Sequence, residues 1–161
     1  GLHTNGYSLA RKICFEVKGW EPGHVPPGLG RSIGDALVEP HRSYLRPLWP
    51  LLEEGGLIKG LAHITGGGFQ GNIPRILPAG TGVEIDRAGW IVPAVFRILQ
   101  AEGQVDDDEM HRTFNMGIGM VIAVAPDRVE TVKSRLEAAG EKAHAIGRVT
   151  EHRAGERVTF R

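Results

Sequence analysis

The sequence predicts an α+β fold, a layered α/β sandwich with a mixed, largely antiparallel sheet, in a single domain over 1–161. Three observations point there. Helical and strand-like stretches follow one another without the strict alternation of a doubly wound nucleotide fold. A chain of 161 residues suffices for one well-buried core. Its 41% hydrophobic and 24% charged residues are those of an ordinary soluble domain, while 23 glycines and 10 prolines without period predict many defined turns.

Taken in order, residues 5–17 read as a helix with Leu9, Ile13 and Val17 at i, i+4 and i+8. Residues 19–30, with Pro22, Pro26 and Pro27, form a loop that is either a lid or a surface excursion. Ser32 to Val38 is a short helix stopped by Pro40. Residues 44–54 keep helical spacing with an irregular start at Pro47 and Pro50, and Gly55-Gly56 ends them. A strand at 57–64, a short helix at 73–78 and a strand from Gly82 to Asp86 follow. Pro93 and Gly103 bracket a further helix, and Asp106 to Thr113 is a shorter one. Ile118 to Ala125 reads as a buried central strand, apolar on both faces. Asp127 and Glu130 have capping-box spacing before a helix closed by Gly140. His144–Glu151 and Glu156–Phe160 read as a hairpin turning at Ala154-Gly155.

Nineteen basic residues balance nineteen acidic ones, so no electrostatic footprint for nucleic acid or an anionic membrane exists. No apolar run approaches the roughly 20 residues of a membrane span. Cys14 is the only cysteine, which excludes an intrachain disulfide and a cysteine metal cage and fits a reducing cytoplasm. The chain opens on Gly1 rather than Met and enters structured-looking sequence at once, as a fragment or processed product would.

The most informative stretch is Leu61-Ala-His-Ile-Thr-Gly-Gly-Gly-Phe-Gln-Gly-Asn-Ile-Pro-Arg75. Three consecutive glycines cost much chain entropy, and they let backbone N–H groups face an anion such as phosphate. Thr65, Gly66, Gly67, Gly68 and Asn72 are candidate contacts, and Arg75 is the nearest cation for a phosphate. The alternative is a tight turn packed against its own sheet. Leu2-His3-Thr4-Asn5-Gly6 places Thr4 or Asn5 as a helix cap, or His3 as a donor to a phosphate or carbonyl oxygen. Asn115, Met116 and Gly117 open a third segment, which either relieves crowding before a strand or turns donors to a ligand. Asp106 to Glu109 invites a Mg²⁺ reading, against which stands a solvated helix N-terminus. The seven histidines show no zinc spacing, and P-loop, G-x-S-x-G and dinucleotide fingerprints are absent.

Together, Gly1 to Arg11, Leu61 to Gly68, Asn72-Ile-Pro-Arg75 and Thr113 to Met120 give the chain a specific resemblance. It resembles the C-terminal half of the phosphoribosylformylglycinamidine cyclo-ligases, also called aminoimidazole ribonucleotide synthetases. The resemblance implies an ATP-dependent ring closure in purine synthesis: the formamide oxygen is phosphorylated, the ring nitrogen attacks, and phosphate leaves. It implies ATP and Mg²⁺ held mostly by an N-terminal half, a homodimer of full-length subunits, a cytoplasmic location, and a fragment inactive alone. It also implies catalytic roles for His3 and Asn5, with Thr4, Thr65, Gly66, Gly67, Gly68, Asn72, Arg75, Asn115, Met116 and Gly117 lining the cleft and no metal ligand among them. The competing classes are a noncatalytic phosphate- or nucleotide-binding domain, a related ATP-dependent enzyme, and a purely structural partner domain.

Overall fold

A computed structural model describes residues 1–161. The secondary structure comprises seven α-helices and five strands, with a π-helical turn and short 3₁₀ turns between them. The helices are α1 (Tyr7–Arg11), α2 (Ile33–Leu37), α3 (Leu45–Glu53), α4 (Gly68–Asn72), α5 (Ala94–Gly103), α6 (Asp107–Thr113) and α7 (Val129–Ala138). The strands are β1 (Ile58–His63), β2 (Thr81–Ile85), β3 (Met120–Val124), β4 (Gly147–Glu151) and β5 (Val158–Phe160). This is the expected α+β class with mixed, largely antiparallel strand pairing.

Two compact units emerge, each assembled from three separated stretches. The first comprises Gly1–Arg42, Ile64–Asn72 and Val92–Gly119. Its core is aromatic and aliphatic: Phe69, Phe96, Phe114, Leu2, Ile33, Leu99, Met110 and Met116 are all fully buried. The Phe96 and Phe114 rings meet at 5.6 Å and 53°, a tilted packing that aromatic quadrupoles favour.

The first helix departs from its predicted form. Regular α-helix ends at Arg11, and Lys12–Val17 winds as a π-helix, with Lys18 N–H donating to the Ile13 carbonyl. A wider turn carries the i+4 position off the buried face, so Ile13 and Cys14 are buried while Val17 is exposed. Burial pushes the Cys14 thiol up to about 11. A thiol held neutral in the core is a packing group and no nucleophile. Because its folded pKa is raised, the stability it contributes is full below about pH 9 and is lost as pH rises through about 11.

The Pro-rich loop is tied down along its length. Trp20 N–H donates to Cys14, His24 N–H to Glu21, and Leu29 N–H to Pro26. Ile33 and Gly34, at the start of α2, donate to His24 and Pro22 at 2.8 Å each. Ser32 caps α2 by accepting from Asp35 N–H at 3.1 Å.

The second unit comprises Ser43–His63, Ile73–Ile91 and Met120–Arg161. Leu48 and Leu51 of α3 pack with Leu57, Val132 and Leu136, covered by Ile122 and Val124 of β3. Here β1 and β3 form a two-stranded antiparallel ribbon, with Leu61 opposite Ile122 and His63 opposite Met120. The expected central strand is thus paired on one side only, and all five of its residues are half-buried.

The predicted C-terminal hairpin does not form. β2 lies between the two strands, antiparallel to β4 and parallel to β5. The capping box fails as well. The Asp127 carboxylate pairs with Arg128 at 3.2 Å, and a 3₁₀ turn from Pro126 to Arg128 leads into α7, which has no side-chain cap. Gly140, with φ 84, closes α7 as expected.

Arg157 locks β2 to the turn before it. Its guanidinium donates to the carbonyls of Thr81 (2.8 Å), Pro74 (3.3 Å), Leu77 (3.0 Å) and Pro78 (2.6 Å). A planar fork reaching four carbonyls has no lysine equivalent. Arg157→Ala is expected to cost about 2–3 kcal/mol, and Arg157→Lys most of that, because several half-buried carbonyls lose a charged donor. Urea denaturation checks this: wild-type midpoints in both variants would show that water replaces the guanidinium without loss.

A candidate anion-binding site lined by three loops

The first unit brings together the three segments singled out in the sequence. Asn115 Nδ2 donates to the Gly1 carbonyl at 3.1 Å, and Ile64 N–H donates to the Gly119 carbonyl at 2.9 Å. A Cβ on Gly66 would stand 3.2 Å from Asn5 Oδ1, and one on Gly6 would enter the Phe114 ring. Residues 1–6, 64–72 and 113–119 are therefore neighbours in space.

In the N-terminal segment the chain reverses between Leu2 and Asn5, whose N–H donates back to the Leu2 carbonyl at 3.3 Å. Both central residues are left-handed, His3 at φ 55 and Thr4 at φ 61. Asn and Gly normally fill such a turn, and a β-branched Thr strains it. The Thr4 hydroxyl and Asn5 amide both donate to the His3 carbonyl, at 2.7 and 2.6 Å, and so hold the reversal. Neither caps α1: the N-cap is Gly6, without a side-chain bond. His3 is buried, and its ring tilts against that of exposed His41 at 4.2 Å between centroids.

The glycine segment is a turn running directly into α4, which begins at Gly68, five residues earlier than the sequence suggested. Gly68 N–H closes the turn on the Thr65 carbonyl at 3.0 Å. Gly66 and Gly67 are exposed at its centre, and no protein acceptor takes their N–H groups. The third glycine serves packing. With φ 58, Gly68 is buried against α6, where a Cβ would lie 1.9 Å from the His111 carbonyl oxygen. The two readings of this loop therefore divide among its residues: a tight turn at Gly68, open donors at Gly66 and Gly67.

Asn72 is 4% exposed. Its Nδ2 donates to the carbonyls of Thr65 (3.3 Å), Gly66 (3.2 Å) and Gly68 (2.8 Å), and its Oδ1 accepts from the Thr65 hydroxyl at 3.2 Å. Asn115 is likewise buried, with Oδ1 accepting from Gly117 N–H at 2.7 Å. Met116 between them is buried at φ 50, and exposed Gly117 at φ 99 packs on Pro93. Three of the four non-glycine residues with positive φ (His3, Thr4 and Met116) thus fall in the predicted segments. Strain of about 1–3 kcal/mol per residue persists only where the surroundings over-determine it, and it gathers at functional sites.

Arg75 stands exposed on the 3₁₀ turn Ile73–Ile76 of the second unit. The acidic run at 106–109 serves α6: Asp106 caps it through Asp108 N–H, Gln100 donates to Asp107, and Glu109 accepts from Thr113. The solvated helix terminus is the reading these bonds support. Sequence reasoning passed over His41, buried His111 and Gln70, whose Oε1 is buried without a hydrogen-bond partner. None of these sits in a legible spacing.

The chain matches the family described as AIR synthase related protein, C-terminal domain, over residues 1–159. It is 49% identical over 155 residues to a phosphoribosylformylglycinamidine cyclo-ligase of Desulfitobacterium hafniense, covering 96% of this chain and 44% of that protein. It is 46% identical over 159 residues to the enzyme of that name from Bifidobacterium animalis subsp. lactis, covering 98% and 46%. The chain thus spans about half the length of the curated relatives it matches. Among solved structures, E. coli HypE, a hydrogenase maturation protein, superposes with a TM-score of 0.61 at 24% identity, over 98% of this chain and 44% of that one. That likeness shows the fold. No helix is long and apolar enough to cross a membrane.

Proposed function

This chain belongs to the family of AIR synthase related C-terminal domains, and from that premise we propose that it is the C-terminal half of an ATP-dependent cyclo-ligase. The proposed reaction converts formylglycinamidine ribonucleotide to aminoimidazole ribonucleotide, with release of ADP and phosphate. The observation that carries the reading is the pair of outward, unclaimed N–H groups at Gly66 and Gly67, with Gly66 beside Asn5, the residue that follows strained His3 and Thr4. Preorganised neutral donors of this kind suit phosphate oxygens and developing negative charge, and they need no covalent nucleophile.

In this reading ATP supplies the phosphoryl group that turns the formamide oxygen into a leaving group. Gly66 and Gly67 N–H groups hold phosphate oxygens, with Thr65 beside them. Exposed Arg75, carried by the second unit, stays a candidate cation for phosphate by its residue type. His3 donates to or orients the reacting amide, and Asn5, Thr4, Met116 and Gly117 shape the wall around it. Most ATP contacts and any Mg²⁺ are assigned to the half that the longer relatives carry. The full-length protein is expected to be a cytoplasmic homodimer, and this half inactive alone.

A polypeptide pairing this chain with the N-terminal half of the Desulfitobacterium relative tests the proposal. ADP release from ATP should depend on formylglycinamidine ribonucleotide, and neither half should turn over alone. Phosphate or ATP binding without turnover in the paired protein would favour the noncatalytic binding domain.

A further inference from the structure

Two buried side chains in the first unit, Asn72 and Asn115, spend their amides on backbone groups. From the geometry we infer that Asn72 is a positioning residue that presets the Gly66–Gly67 donors and never touches the ligand, an inference that rests on the anion-binding reading above. The argument is one of satisfaction. A carboxamide has two N–H donors and one carbonyl acceptor. In Asn72 the donors are shared among three carbonyls of the loop, and the acceptor takes the Thr65 hydroxyl. At 4% exposure the group has neither a spare donor nor an open path to solvent.

Drawing the carbonyls of Thr65, Gly66 and Gly68 onto one buried amide gives the turn its polarity. Oxygens face inward, and the intervening N–H groups of Gly66 and Gly67 face out, where the protein leaves them unclaimed. A glycine turn without such a clamp samples many conformers, and its donors meet an anion at the cost of ordering. Asn115 pins the neighbouring loop in the opposite sense, claiming the Gly117 N–H and donating to the Gly1 carbonyl of another segment, so the open donors are those of the Asn72 loop. An aspartate at position 72 would be nearly isosteric yet would set a carboxylate against three carbonyl oxygens.

The test follows amide hydrogen exchange and inorganic phosphate affinity in the full chain, for Asn72→Asp, Asn72→Ala and Thr65→Val. Positioning predicts that exchange at Gly68 and Gly71, whose N–H groups are bonded to the Thr65 and Gly67 carbonyls, accelerates at least tenfold in both Asn72 variants, while the amides of Leu99 and Phe114 keep their protection. Phosphate affinity should fall at least tenfold, since a misplacement of about 1 Å can cost about a hundredfold. Thr65→Val, which removes one of the four bonds, should show a smaller acceleration at the same amides. Unchanged loop exchange with lost phosphate affinity would make Asn72 a direct contact and overturn the inference. Acceleration spread evenly over the core would reduce it to a structural residue and overturn it equally. Should the Asn72 variants not fold, unaltered loop exchange in Thr65→Val would decide against it. A wild-type chain that ignores phosphate would sink the anion reading, yet the exchange comparison would still judge the role of Asn72.

Discussion

Gly68→Ala should abolish stable folding of the first unit, whereas Gly66→Ala should fold. The same substitution, two residues apart, has different consequences because the glycines do different work. At Gly68 the added Cβ would lie 1.9 Å from the His111 carbonyl oxygen and 2.9 Å from its carbon. Both are backbone atoms of α6, whose neighbours Met110 and Phe114 are fully buried, so nothing can yield cheaply. The left-handed φ of 58 adds about 1 kcal/mol for any L-residue with a side chain. A total loss above about 4 kcal/mol is expected, against the roughly 5–15 kcal/mol that holds a domain together. At Gly66 the Cβ meets only Asn5 Oδ1, at 3.2 Å, and φ is not left-handed. Gly66→Ala should therefore keep its melting temperature within a few degrees while crowding the donor face. Thermal unfolding of the two variants settles the matter, and a Gly68→Ala protein that melts like the wild type would mean α6 is free to retreat.

The second large effect is on turnover. In the polypeptide paired with its N-terminal half, His3→Ala is expected to lower turnover by well over tenfold, towards about a hundredfold, with folding intact. The backbone argument makes the test clean. Alanine at φ 55 carries strain similar to that of histidine, and the bonds holding the reversal come from Thr4 and Asn5 to the His3 carbonyl, which remains. What disappears is the imidazole and its packing on His41. His3→Asn tolerates the left-handed backbone and keeps a donor, so part of the loss should return. Turnover equal to wild type in His3→Ala would remove the imidazole from the mechanism.

Short-range rules carried much of the reading. Ser32 and Asp106 cap as their types suggest, Pro93 opens α5, and Gly55-Gly56 ends α3 with φ of 70 and 72. The three polar segments were visible because glycine, histidine and asparagine interrupt an apolar framework. The rest depended on partners distant in sequence. Val17 was assigned inward on a 3.6-residue period, and a π turn after Arg11 spoiled that period. β4 and β5 resemble a hairpin in sequence, yet β2, from far upstream, lies between them and pairs with both. Asn72 read as a ligand contact because its residue type is equally suited to water, phosphate or peptide carbonyls. Its bonds to the Thr65, Gly66 and Gly68 carbonyls depend on burial, which a single sequence does not display, and the positioning role we infer rests on them.

The interleaving of the two units also bears on how the chain is made. β2 receives its parallel partner only when Phe160 has been synthesised, about 75 residues after Ile85. At about 5–20 residues per second, ribosomal synthesis leaves that strand with an open edge for on the order of ten seconds. A strand waiting that long is a hazard if it is apolar throughout. β2 reads Thr-Gly-Val-Glu-Ile, with glycine and glutamate between its hydrophobic residues. The same two residues weaken nascent pairing with foreign strands. Once β4 arrives, Glu84 finds Arg148 at 2.8 Å, and the charge that guarded the unfinished strand becomes part of the finished sheet.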